Sequence, residues 1–111
     1  MAKRKKSIHD VLLKALGPHG HKNDISNDRD GNTVHSWFSH DSSRYPFDRV
    51  LSRRDGWQQY DTDQDAWYYG VWVNPKTRQQ VTYAEGDLYY VWYPSKKAFR
   101  KGMKRLDAFH G

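Results

Sequence analysis

Residues 67–93, WYYGVWVNPKTRQQVTYAEGDLYYVWY, decide the fold. Trp67 to Val73 is a run of aromatic and β-branched side chains around Gly70. These types fit a pleated surface and lose rotamer freedom in a helix, so the run reads as a strand. Asn74-Pro75-Lys76-Thr77 supplies a turn, with Pro where a type I turn wants a fixed φ. Gln79 to Ala84 alternates Val81 and Tyr83 against Gln80 and Thr82, the second arm of a hairpin. Glu85-Gly86-Asp87 provides a residue tolerant of positive φ, and Leu88 to Tyr93 is a third strand closed by Pro94. Just upstream, Trp57 to Tyr60 reads as a short first strand. Connections this short cannot cross over between parallel neighbours. The expected architecture is an α+β domain built on an antiparallel meander of three or four strands.

A period of two puts Trp67, Tyr69, Val71 and Val73 on one face and Tyr68 and Trp72 on the other, just as Leu88, Tyr90 and Trp92 oppose Tyr89, Val91 and Tyr93. Both faces are apolar. One layer of helix covers one face, so the second must meet another segment, another protein chain, or a ligand that stacks on aromatics. Tyr68, Trp72, Tyr89 and Tyr93 are the candidate rings for an uncovered face.

After Pro94, Ser95 is an N-cap, and Ala98, Phe99, Met103 and Leu106 recur at helical spacing with Phe109 behind them. Gly102 lies on the same stripe. Glycine there costs roughly 1 kcal/mol relative to Ala, which makes sense if the helix backbone passes close over a bulky aromatic ring. At the other end, Ser7 can cap a short helix whose stripe is Ile8, Val11, Leu12, Ala15 and Leu16, stopped by Gly17-Pro18. Between the two, residues 17–56 are polar and punctuated, with anchors at Trp37, Phe38, Tyr45, Phe47, Val50 and Leu51 and room for one helical turn over 49–54. The chain thus divides into a basic arm with a short amphipathic helix (1–16), a polar, loop-rich and partly ordered strap (17–56), and a sheet-plus-helix core (57–111).

A length of 111 residues suits one domain, and the absence of Cys excludes disulfides and thiolate chemistry. Lys3-Arg4-Lys5-Lys6 imitates a secretory n-region, but His9, Asp10 and Lys14 interrupt the apolar stretch that should follow. No run reaches membrane-spanning length, and the expectation is a soluble, cytoplasmic protein. Charge is segregated: residues 1–16 carry +4, 17–56 are neutral, 57–93 carry −3 and 94–111 carry +5. A basic arm together with a helix face bearing Lys96, Lys97, Arg100, Lys101, Lys104 and Arg105 is the electrostatic footprint of phosphate contact. A simply solvated helix face would look the same in sequence.

Other constellations are weaker. Tyr68-Tyr69-Gly70-Val71-Trp72-Val73 superficially resembles the aromatic core strand of an RNA-recognition motif, where exposed rings stack on bases. The likeness covers only these residues. Ala66-Trp67 replaces the basic residue and Gly expected ahead of it, no helix-length segment separates the central strands, and two-sided core packing is the favoured reading. Asp61, Asp63 and Asp65 fall at the same end of a meander as Glu85 and Asp87 and could gather around a hard cation, although turns are rich in Asp for conformational reasons. Ser26-Asn27-Asp28-Arg29-Asp30-Gly31 mimics part of a calcium loop but lacks its leading Asp and its bidentate Glu. His19, His21, His35 and His40 lack the framework that zinc needs, and Ser36, Ser39 and Asp41 lack the strand setting of a hydrolase nucleophile. The expectation is a small non-enzymatic binding module, without metal or cofactor, that contacts nucleic acid through Lys3, Arg4, Lys5, Lys6 and the basic face of the C-terminal helix. The alternative is a protein-interaction module, an adaptor, inhibitor or self-associating subunit, using an aromatic sheet face or the N-terminal apolar stripe.

Overall fold

The computed structural model describes residues 8–16, 21–28, 30–38, 43–60 and 67–110. In chain order the elements are α1 (Ile8–Leu16), β1 (His21–Asn27), β2 (Thr33–Phe38), α2 (Tyr45–Ser52), β3 (Gln58–Gln59), β4 (Tyr69–Asn74), β5 (Gln79–Ala84), β6 (Asp87–Trp92) and α3 (Lys96–His110). One antiparallel sheet of six strands runs in the order β1-β2-β6-β5-β4-β3.

The α+β class and the meander stand, but the sheet has six strands rather than three or four. The two additional strands come from the segment expected to be a loop-rich strap. β2 carries Val34, Trp37 and Phe38 among Thr33, His35 and Ser36, too dilute a pattern to register as a strand. Its partner β6 lies more than fifty residues downstream, with Trp37 opposite Leu88 and His35 opposite Tyr90. The β1–β2 turn is built by Asp28, whose Oδ1 accepts the Asp30 and Asn32 backbone N–H groups at 2.9 Å each. The stretch that mimics a calcium loop is therefore a hairpin turn closed by an Asp side chain. The same segment contains α2, two turns of helix where the sequence suggested one beginning at Arg49.

Register fixes the two faces. Trp37, Leu88, Tyr90, Trp92, Val81, Tyr83 and Trp72 share one, and Ser36, Tyr89, Val91, Gln80, Val71 and Val73 the other. α1 and α2 cover the first, closing a core in which Leu12, Phe47, Leu51, Val81, Tyr83 and Leu88 are fully buried. Each such side chain contributes about 1.5–3 kcal/mol by leaving water. Gly70 in β4 makes room for this packing: a Cβ there would stand 2.7 Å from the Trp72 ring, which lies back over it. α2 is tied down by its own polar groups, since the Trp72 indole N–H donates to Asp48 Oδ1 at 2.7 Å and the Arg44 backbone N–H donates to Trp67 O at 2.9 Å.

On the second face α3 passes over Tyr93. A Cβ on Gly102 would fall 2.5 Å from Tyr93 Oη and 2.6 Å from Cε1, so only glycine lets the helix come this close. The Tyr93 hydroxyl donates to Gln80 Oε1 at 2.7 Å, and Gln80 Nε2 donates to Thr82 Oγ1 at 2.8 Å, which satisfies the polar groups buried beneath the helix. No helix among the described residues is long and apolar enough to cross a membrane.

Candidate nucleic-acid interface

α3 begins where Pro94 ends the last strand. Ser95 caps it, with Oγ accepting the Ala98 N–H at 3.1 Å and its carbonyl accepting the Phe99 N–H at 3.0 Å. Ala98, Phe99, Gly102 and Met103 turn inward, and Phe99 meets the Tyr93 ring edge-on at 5.7 Å. The outward arc is left to Lys96, Lys97, Arg100, Lys101, Lys104 and Arg105, all exposed.

These six cations are not equivalent. Lys101 and Arg105, one turn apart, both reach Asp30 in the β1–β2 turn, at 3.1 and 2.9 Å. They clamp the helix to the hairpin. Lys96, Lys97, Arg100 and Lys104 have no carboxylate partner among the described side chains. Lys96 and Lys97 also occupy a first turn without acidic residues, the end of a helix where its dipole disfavours positive charge.

The hairpin turn that receives the clamp is itself electrostatically set. Burial pushes the Asp28 carboxyl up, but hydrogen bonds from the Asn32 side chain and from the Asn32 and Asp30 backbone, with the Arg105 charge, outweigh it and hold its pKa below the usual range. Burial pushes the Tyr93 hydroxyl up to about 12, with the Asp28 charge adding to the effect, and burial alone does the same to Tyr90. Tyr89 is raised by burial and by Asp87 beside it.

Lys3, Arg4, Lys5 and Lys6 lie outside the described residues. The helix they lead into, α1, packs on the sheet face opposite to α3. A second cationic surface stands on that layer, where Lys14, Arg49, Arg53 and Arg54 rim a groove of about 530 Å³ floored by Val11, Ala15, Pro46 and Val50. The residues were visible in the sequence, but only the packing of α1 on α2 brings Lys14 to the arginines.

The four rings singled out for an uncovered face do not gather on one. Trp72 is 2% exposed beneath α2 and Tyr93 is 3% exposed beneath α3, on opposite faces. Tyr89, on the α3 face, and Tyr68, in the turn before β4, are exposed. The alternation separated the faces within each strand, but it did not match them between strands and could not tell which rings a helix covers. Exposed rings that the pattern did not single out are Trp92, Trp67 and Tyr45. Of the N-terminal stripe, Leu12 lies in the core and Ile8 and Ala15 pack against it, while Val11 and Ala15 also line the groove.

Among the described residues no group of three or more His, Asp or Glu side chains stands close enough to hold a metal ion. Glu85 and Asp87 frame the β5–β6 turn, while Asp61, Asp63 and Asp65, and likewise His19, His40, Ser39 and Asp41, lie outside the described residues. Compared with known proteins, the chain matches no family model, no curated protein and no solved structure. Function must be read from the side chains themselves.

Proposed function

We propose that this protein is a small non-enzymatic binding module that contacts nucleic acid through the outer face of α3, assisted by the basic arm Lys3 to Lys6. The supporting observation is that Lys96, Lys97, Arg100 and Lys104 are exposed along one helix face without carboxylate partners among the described side chains. Four cations in a row follow a phosphate backbone, and the affinity they give is salt-dependent and largely indifferent to sequence. Replacing Lys97, Arg100 and Lys104 together by Gln weakens binding to labelled duplex DNA uniformly across sequences and flattens its salt dependence by roughly 2–3 in log–log slope. The far-ultraviolet circular dichroism stays unchanged, because none of the three packs on the sheet. Unchanged affinity and slope in a folded variant overturns the proposal.

One observation favours a second reading, a protein-interaction module. Trp67 and Tyr68 meet edge-on at 5.8 Å, both exposed, and the Trp67 carbonyl is bonded to the residue preceding the exposed Tyr45. Three exposed rings at one end of the molecule make an apolar anchor of the kind found at interface centres. That reading requires association that survives high salt and is lost in Trp67→Ala, measured by sedimentation velocity.

A further inference from the structure

The cover that α1 and α2 give their sheet face stops short of its end at the β1–β2 turn. There the inner aromatic row, Trp37, His35 and Tyr90, continues into Trp92, which is 48% exposed. His35 stacks on Trp37 at 6.0 Å and meets Tyr90 at 6.1 Å. His35, Tyr90, Trp92, Pro94, Asn32 and Thr33 line a cleft of about 400 Å³, within the size range of small-ligand sites. It has an aromatic floor, one large ring open to solvent and a polar rim.

One cation stands beside this ring. Arg78, outside the cleft, holds its guanidinium 6.0 Å from the Trp92 centroid and donates from Nε to the Tyr93 carbonyl at 3.0 Å. It does so from a left-handed backbone conformation, φ 59°, where Gly would be free of strain, so this position keeps its long cationic side chain against a conformational preference. Pro94 lines the cleft, and Lys96 and Lys97 follow it by two and three residues, in the helix turn where positive charge is disfavoured. An anion held there relieves both lysines at once.

We propose that this cleft binds a segment of single-stranded nucleic acid, one base stacking on Trp92 while the adjoining phosphates meet Arg78, Lys96 and Lys97. The pairing of an exposed flat ring with flanking cations is the device by which single strands are held without sequence readout, and a duplex, whose bases are already stacked, cannot use it. This inference rests on the nucleic-acid reading above and narrows it to a strand form. Duplex contacts along Arg100 and Lys104 remain available without the cleft.

The test is fluorescence anisotropy of labelled single-stranded DNA, single-stranded RNA and duplex DNA of matched length against the full chain, for the wild type, Trp92→Ala and Trp92→Phe. Trp92→Ala lowers single-strand affinity about five- to a hundredfold, the range expected for one lost base stack, and moves duplex affinity less than about twofold. Trp92→Phe restores most of the single-strand affinity, because a smaller ring still stacks. DNA and RNA single strands distinguish the source of the base, and either one satisfies the proposal. Equal single-strand affinity in a folded Trp92→Ala, or an equal loss on duplex, overturns the cleft while leaving the α3 reading intact. Failure of the wild type to bind any of the three overturns both.

Discussion

At the scale of single residues, Gly102 and Tyr93 form one unit. Ala is favoured over Gly in a helix by about 1 kcal/mol, yet the added Cβ meets the Tyr93 ring at 2.5–2.6 Å, and that ring is held by its bond to Gln80. Gly102→Ala is therefore expected to destabilise the fold by about 1–3 kcal/mol, against its helix propensity, as read by thermal or urea unfolding. A stabilised variant would show that α3 does not press on the ring. The pH dependence has a defined sign. Tyr93 and Tyr90 are raised in the fold to about 12 from an ordinary value of 10.0, so the folded state holds these protons more tightly than the unfolded chain. Their contribution is complete below pH 10 and is lost as pH rises through about 12. Unfolding free energy should fall over that window, and Tyr93→Phe, which has no proton to lose, should show a shallower fall. The Gly102 contact was legible because a glycine on an apolar helical stripe contradicts propensity, and only a close neighbour resolves the contradiction. Burial of Trp72 was not legible, since alternation assigns a side chain to a face without saying what lies over it.

At the scale of elements, α3 is fixed at its start by the Ser95 cap and further along by Asp30, which receives both Lys101 and Arg105. Exposed ion pairs are worth little singly, and this bifurcated one is expected to add about 0.5–1 kcal/mol. Asp30→Asn should lower stability by that amount and, by releasing two cations, tighten duplex binding and steepen its salt dependence. Unchanged salt dependence would mean that Lys101 and Arg105 face away from the ligand whether paired or not. β4, β5 and β6 were legible to within two residues because short turns tie each strand to its neighbour and the apolar pattern is dense. β1 and β2 were not. Their side chains are mostly polar; β1 is held by pairing with β2, and β2 by pairing with β6, a non-local contact that leaves little trace in local composition. α2 was half legible, as the helical tendency around Arg49 was visible while Pro46, in its first turn, gave no sign of the strand before it.

At the scale of the whole molecule, the sequence separated charge into basic ends around an acidic sheet, and among the described residues cations stand on both sides of that sheet. α3 presents Lys96, Lys97, Arg100 and Lys104 on one side, and α1 with α2 presents Lys14, Arg49 and Arg53 on the other. The shortest extent of the molecule is 26 Å, several times the screening length of about 8 Å at physiological ionic strength, so each surface acts on a ligand nearly independently of the other. A duplex lying along α3 therefore does not sense Arg49 or Arg53. Their joint replacement by Gln should leave duplex affinity and its salt slope unchanged at that ionic strength, whereas the triple replacement on α3 should reduce both. Removing residues 1–6 tests the arm in the same terms, because four cations recruited to the same duplex would lower the slope by roughly 3–4 when deleted. If the Arg49 and Arg53 replacement weakens binding as much as the α3 set does, nucleic acid engages both layers. One chain then bridges two strands, and complexes with long DNA should sediment as cross-linked species rather than as singly decorated duplexes. Sedimentation at low and at physiological salt separates the two arrangements, because loss of one cationic layer dissolves a bridge but leaves single-face binding in place.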